Sequence, residues 1–193
     1  MSAIHSAASK KPLKTDVRKL TTMAMLAAIG IVLMLVCKFS IIPSASFLKY
    51  DPAEVPILVG SLIYGPGAGL ILTLLVSFVD SFVLSGSGGP IGFVMHMVST
   101  GTMAMLAGFL YKKGANIHRR AAASLAAGAV VKVCLMIVMN LLLTPIYTGL
   151  PREQIAQMLL PVFIPFNVIK ASLNCVFTFL VYKYVEKLVV HSK

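Results

Sequence analysis

Pro161-Val-Phe-Ile-Pro165-Phe166-Asn167-Val-Ile-Lys170-Ala-Ser-Leu-Asn174 runs straight into Cys175-Val-Phe-Thr-Phe-Leu-Val-Tyr182. Lys170 is the only charged residue in it. At ~1.5 Å per residue, a run of this length can cross a hydrocarbon core about 30 Å thick. An ammonium in hydrocarbon costs several kcal/mol, so such a lysine faces a cavity or a partner rather than lipid. Asn167 lies three residues earlier and therefore shares a helix face with Lys170. The stretch implies a helical membrane protein with a place inside it for a polar ligand.

Composition agrees with that class. Of 193 residues, 58% are apolar and only 12% are charged, against roughly 25% charged in soluble domains. The long apolar runs, without alternating ten-residue strands, favour helices over a barrel. A formal charge of +11 would suit a nucleic-acid partner if it formed one patch. Here the basic residues cluster at segment ends, as topology in a bilayer requires, and no nucleic-acid partner is expected. Cys37, Cys134 and Cys175 lie in apolar segments without metal-ligand or disulfide spacing, and read as small core residues.

Working outward from the last segment gives six helices, with both termini on the cytoplasmic side. The first runs from Leu20 to Cys37, after a basic tail over residues 1–19 that lacks the pattern of a cleavable signal peptide. Residues 20–193 then form one membrane domain. Pro52–Tyr64 is short for a span, and Gly65-Pro66-Gly67 separates it from a run ending near Leu84, which reads as two helices joined by a tight turn. The fourth helix covers Ile91–Tyr111, the fifth about Ala121–Tyr147 and the sixth about Met158–Val189, with a short surface helix over 151–158 before it. Six spans put the tail lysines, Lys112, Lys113, Arg119, Arg120 and the C-terminal lysines on one side, in keeping with the positive-inside rule. Five would split them.

With this topology Asp80, His96, Asn140, Asn167 and Lys170 all fall roughly 6–18 Å below the outer helix ends. Five polar groups from four helices in one layer suggest a shared ligand site. The competing reading is a set of separate interhelical hydrogen bonds, each contributing about 1 kcal/mol or less. Lys132, near the middle of the fifth helix, has three open readings: a partner of Asp80, a snorkelling lysine, or a lumen-facing one. The stretch Phe47-Leu48-Lys49-Tyr50-Asp51-Pro52-Ala-Glu54-Val-Pro56 combines charge with apolar bulk and suits a lid, with an ordinary connecting loop as the alternative. Ala24 and Ala28 share a face of the first helix, where small residues let another helix approach closely. Packing within the chain is the alternative there.

The chain resembles the substrate-binding S components of energy-coupling-factor (ECF) transporters, the riboflavin-binding ones in particular. Ala24-Met-Leu-Ala-Ala28, Phe47-Leu-Lys-Tyr-Asp51 through Val55-Pro56, Tyr64-Gly-Pro-Gly-Ala-Gly69 and Ile164-Pro-Phe-Asn167-Val-Ile-Lys170 carry the likeness, with Asn140-Leu-Leu-Leu-Thr-Pro145-Ile-Tyr147 a further one. The resemblance implies a six-helix, multi-pass cell-membrane protein that captures a vitamin from outside. It also implies a membrane coupling subunit driven by two ATP-binding-cassette ATPases. Ala24 and Ala28 would then face that subunit, and Asn140, Asn167 and Lys170 would hydrogen-bond the polar edge of a flavin. Two departures stand out: Val79-Asp80-Ser81 occupies the place of a Lys-Asn pair, and His96 stands where an asparagine is expected.

Riboflavin is thus expected as transported ligand rather than cofactor. The substrate-binding residues are Asn140, Asn167, Lys170, His96, Asp80, Leu48 and Lys49, and the partner-binding residues are Ala24 and Ala28. An S component for another vitamin or small metabolite is the alternative. An intramembrane enzyme is disfavoured, because no HExxH, nucleophile-elbow or paired intramembrane carboxylate pattern is present and Asp80 reads as the one carboxylate inside a span. A channel would need a polar stripe across the whole membrane, which the sequence lacks.

Overall fold

In a computed structural model, residues 13–42, 48–84, 89–111 and 116–190 are described. They form helices α1 (Leu13–Val36), α2 (Glu54–Tyr64), α3 (Pro66–Phe78), α4 (Gly89–Leu110), α5 (Ile117–Thr148), α6 (Arg152–Met158) and α7 (Ile164–Val190). A π-helical turn over Val79–Val83 extends α3, and another over Leu159–Phe163 joins α6 to α7. One addition to the all-helical expectation is a two-stranded antiparallel pair, β1 (Phe39–Ser40) with β2 (Lys49–Tyr50). α1 starts at Leu13, so Lys14, Arg18 and Lys19 of the expected tail are in a helix. Residues 1–12 of that tail, residues 43–47, which include Phe47 of the expected lid, and Lys112 and Lys113 lie outside the described residues.

Five helical stretches are long and apolar enough to cross a membrane: Val17–Val36, Pro66–Val83, Gly89–Leu110, Ile117–Thr148 and Arg152–Val185. α2 is the exception in length, and its environment explains why. Every residue from Glu54 to Leu62 is buried, as expected of a helix enclosed by other helices rather than by solvent or lipid. It packs against α1, α3, α4 and α7. Ile57, Leu58, Val59 and Leu62 from α2 centre the main core with Leu26 and Met34 of α1, Leu72 and Val76 of α3, and Met103 and Ala107 of α4.

Turn chemistry sets how α2 meets α3. Gly65 has φ +91°, a region that side chains disfavour, and Pro66 opens α3 with a φ already suited to a first turn. Small residues then bring α3 and α4 close to α2. A Cβ at Gly69 would stand 2.7 Å from Ser61 Cβ and 3.1 Å from Ala104 Cβ; one at Gly108 would stand 2.8 Å from Pro66 N and 3.0 Å from Pro66 Cα. Ser61 Oγ donates to the Ala104 carbonyl across the same seam. In a membrane, close backbone approach supplies packing that the hydrophobic effect cannot supply between helices. A smaller apolar cluster of Leu48, Ile155, Phe163 and Phe166 holds the segment before β2 against α6 and the start of α7.

Gly108→Ala should destabilise the detergent-solubilised protein by about 1–3 kcal/mol, because its new methyl meets Pro66 backbone that cannot yield. A Cβ at Gly67 has nothing within 4 Å, so Gly67→Ala should leave the thermal midpoint unchanged or slightly raised. Thermal unfolding of the two variants side by side checks this.

Candidate substrate-binding site

Four helices and the β2 segment converge on a cavity of about 240 Å³. Its walls take Leu48 and Lys49 from β2 and the residue before it, His96 from α4, Asn140 from α5, and Asn167 and Lys170 from α7. Phe166, Met95, Met136 and Tyr147 add apolar and aromatic surface. Mostly apolar walls with a few converging polar groups are the usual make-up of a small-molecule site.

Lys170 and Asn167 are three apart on α7, and Asn174 continues the same face one turn on. Asn167 Nδ2 donates to the Phe163 carbonyl at 2.8 Å, in the π-helical turn that carries Pro161. π-Bulges are frequent at functional sites because they re-aim the helix that follows. Asn140 Nδ2 donates to the Met136 carbonyl at 2.7 Å and its Oδ1 accepts from Thr144 at 3.0 Å. These internal bonds fix both carboxamides against their own helices. His96 Nδ1 is buried with no hydrogen-bond partner.

Beneath these residues lies a charge cluster that the sequence reading missed. Glu54, read as part of the lid, is 1% exposed and points into the core from the first residue of α2. Its Oε1 accepts from Lys132 Nζ and from Thr100 Oγ1 at 3.2 Å, and its Oε2 accepts from Asn174 Nδ2 at 3.0 Å. Lys170 Nζ lies 3.0 Å from Asp51 Oδ2 and 3.8 Å from Glu54 Oε1. Asn174 Oδ1 accepts from Tyr50 OH at 3.0 Å. The cluster therefore ties α2, α4, α5 and α7 to the β2 segment. Burial is the largest influence on the Asp51 carboxyl and works against its ionisation, but the charge and hydrogen bond of Lys170, together with His96, outweigh it and hold that carboxyl below its ordinary range.

Of the three open readings of Lys132, pairing with Asp80 falls: it pairs with Glu54 and also lines the cavity. The expected role of Asp80 is corrected. Asp80, expected among the ligand residues, is not on the cavity wall; its Oδ1 is held by Lys38 Nζ at 2.9 Å. Asp80 sits in the π-helical extension of α3, which faces the end of α1 where Lys38 follows. A carboxylate inside a span takes the nearest cation, because an uncompensated buried charge is costly. Glu54 is likewise a buried carboxylate beyond the one anticipated. A signal for it existed: the chain has six Asp and Glu, and with Asp16 in the basic tail, Glu153 in the short surface helix and Glu186 near the C-terminus, only Asp51, Glu54 and Asp80 are left to neutralise Lys132 and Lys170.

Removing one member of a buried pair leaves its partner uncompensated, at about 3–5 kcal/mol. Lys132→Met should therefore lower the thermal midpoint sharply. Lys132→Met with Glu54→Gln should recover much of the loss. A double variant no more stable than the single would show that the pair is not coupled.

The geometry can be set beside known proteins. A family profile described as ECF transporter, substrate-specific component, matches residues 18–182. The riboflavin transporter FmnP of Bacillus subtilis (strain 168) is 31% identical over 163 residues, covering 80% of this chain and 84% of the relative. The riboflavin transporter RibU of Streptococcus thermophilus is 26% identical over 185 residues, covering 91% and 86%. A solved structure titled as the S component of a bacterial ECF transporter superposes with a TM-score of 0.75 at 24% identity, over 90% of this chain and 98% of that one; at this identity the match speaks to the fold. A profile spanning α1 through α7, together with spans long and apolar enough for a bilayer, makes this chain a multi-pass membrane protein of the ECF transporter substrate-specific component family, a transport component and not an enzyme.

Proposed function

We propose that the chain captures riboflavin in the cavity between α4, α5 and α7 and delivers it through an ATP-driven coupling module. The observation that carries this reading is the meeting of Asn140, Asn167 and Lys170 on one cavity wall. A flavin is a flat apolar body with a rim of carbonyls and ring nitrogens. Lysine only donates and carboxamides both donate and accept, which suits that rim. Lys170 donates one of its three N–H groups to Asp51 and keeps others for a ligand carbonyl. Phe166, Met95 and Met136 would cover the ring faces, with His96 offering its unpartnered nitrogen. Leu48 and Lys49 would close the mouth. Two relatives bearing the name riboflavin transporter favour this ligand over another vitamin.

In the same reading the chain crosses the membrane six times with both termini cytoplasmic, α2 completing its crossing inside a sheath of other helices, and residues 1–19 lie on the cytoplasmic side. Ala24 and Ala28 of α1 are exposed one turn apart, flanked by exposed Met25, Ile29 and Val32. Among the described residues none buries that strip, so it suits the membrane coupling subunit, which two ABC-type ATPases would drive.

Asn167→Ala with Lys170→Ala should abolish quenching of riboflavin fluorescence, a loss of at least about 100-fold for two buried polar contacts; Asn167→Ala alone, which keeps the Lys170–Asp51 pair, should weaken binding about tenfold in a protein that folds normally. Absence of quenching by the unaltered protein, or a non-flavin molecule released from it in a mass spectrum, would overturn the ligand assignment. Ala24→Trp with Ala28→Trp should leave binding intact and stop uptake by cells carrying the coupling module. Normal uptake by that double variant would remove the partner face.

A further inference from the structure

The buried charges lining the cavity balance. Lys132 and Lys170 stand against Asp51 and Glu54, all four line the cavity, and all four are buried. Lys49, the other charged residue on the lining, is exposed and faces solvent screening. Glu54 is the keystone of this balance, since both lysines reach the same Oε1 while Asn174 holds Oε2. A ligand group that brings a net charge against such a floor loses its hydration and finds no opposite charge unless an existing pair breaks. Without Glu54 the floor would hold two ammoniums against one carboxylate, an arrangement that attracts anions.

We infer that Glu54 is a specificity-determining residue: it cancels the surplus ammonium charge of the cavity floor, so the site takes uncharged hydrogen-bonding groups there and rejects carboxylates and phosphates. The inference deepens the riboflavin reading and takes its probes from it. It also separates this site chemically from one built for a vitamin that presents a carboxylate to its receptor.

The test compares charge, at closely matched shape in the second of its two probe pairs, in the full chain purified in detergent. Two probe pairs are titrated by fluorescence quenching. One is riboflavin against its phosphate monoester. The other is riboflavin carrying a carboxymethyl group on the imide nitrogen against the matching carbamoylmethyl compound. The unaltered protein should prefer the uncharged member. Glu54→Gln should raise the affinity of the anionic member relative to the neutral one by at least about tenfold in one pair or both. Glu54→Gln with Lys132→Gln removes one charge of each sign and should return the ratio toward its original value, even where both affinities fall. Asp51→Asn leaves the same surplus and should move the ratio in the direction of Glu54→Gln, which supplies the reading if that variant does not fold. Ratios unmoved in both pairs, or an unaltered protein that takes the anionic members as readily as the neutral ones, would overturn the inference. Should the chain take no flavin at all, the riboflavin reading fails by itself. The molecule released from the purified chain then decides: an uncharged one upholds the balance argument, and a carboxylate or phosphate overturns it.

Discussion

A carboxylate buried among helices must be neutralised where it stands, and Glu54 is the point at which this protein satisfies that requirement. Its two oxygens gather Lys132 of α5, Thr100 of α4 and Asn174 of α7, and Lys170 approaches the same group. The energetic argument is one of constraint rather than of stability gained. A buried ion pair contributes little over an apolar replacement, whereas a broken one is expensive. Once the chain carries two lysines at depth, the helices that bear the matching acids are confined to one arrangement.

That arrangement also explains the short α2. A lipid-facing helix of its length could not cross a bilayer core, but one enclosed by α1, α3, α4 and α7 does not have to meet lipid. Glycines and serines on the α2–α3–α4 seam let the backbones close in, with Ser61, Gly69, Ala104 and Gly108 at its tightest points. Where α4, α5 and α7 carry their larger polar side chains, a cavity lies between them. Close packing along the seam and an opening at the cavity follow from where the small residues and the large polar ones fall.

The β2 segment connects the mouth of the cavity to its floor. Tyr50 bonds to Asn174 and Asp51 to Lys170, while Leu48 packs on Ile155, Phe163 and Phe166. The stretch expected to act as a lid is therefore anchored through Leu48, Tyr50 and Asp51, by polar contacts of the last two and apolar contacts of the first. Asp80 and Lys38 form a second, separate neutral pair where α1 ends and α3 is extended by its π-helical turn.

Sequence by itself determined the helical class and nearly all helix positions, because long apolar runs and Gly-Pro punctuation are local properties that a bilayer reads directly. It also singled out Asn140, Asn167, Lys170 and His96, since polar residues inside apolar runs stand out without knowledge of neighbours. Glu54 did not stand out. Its setting among Lys49, Asp51, Pro52 and Pro56 has the composition of a loop, and only the surrounding helices convert it into a core residue. Which acid meets which lysine was likewise beyond the sequence: Lys132 and Glu54 are 78 residues apart, and Lys38 and Asp80 are 42 apart. Spacing along a chain fixes which side chains share a helix face, but the choice of counter-charge across helices is made by packing.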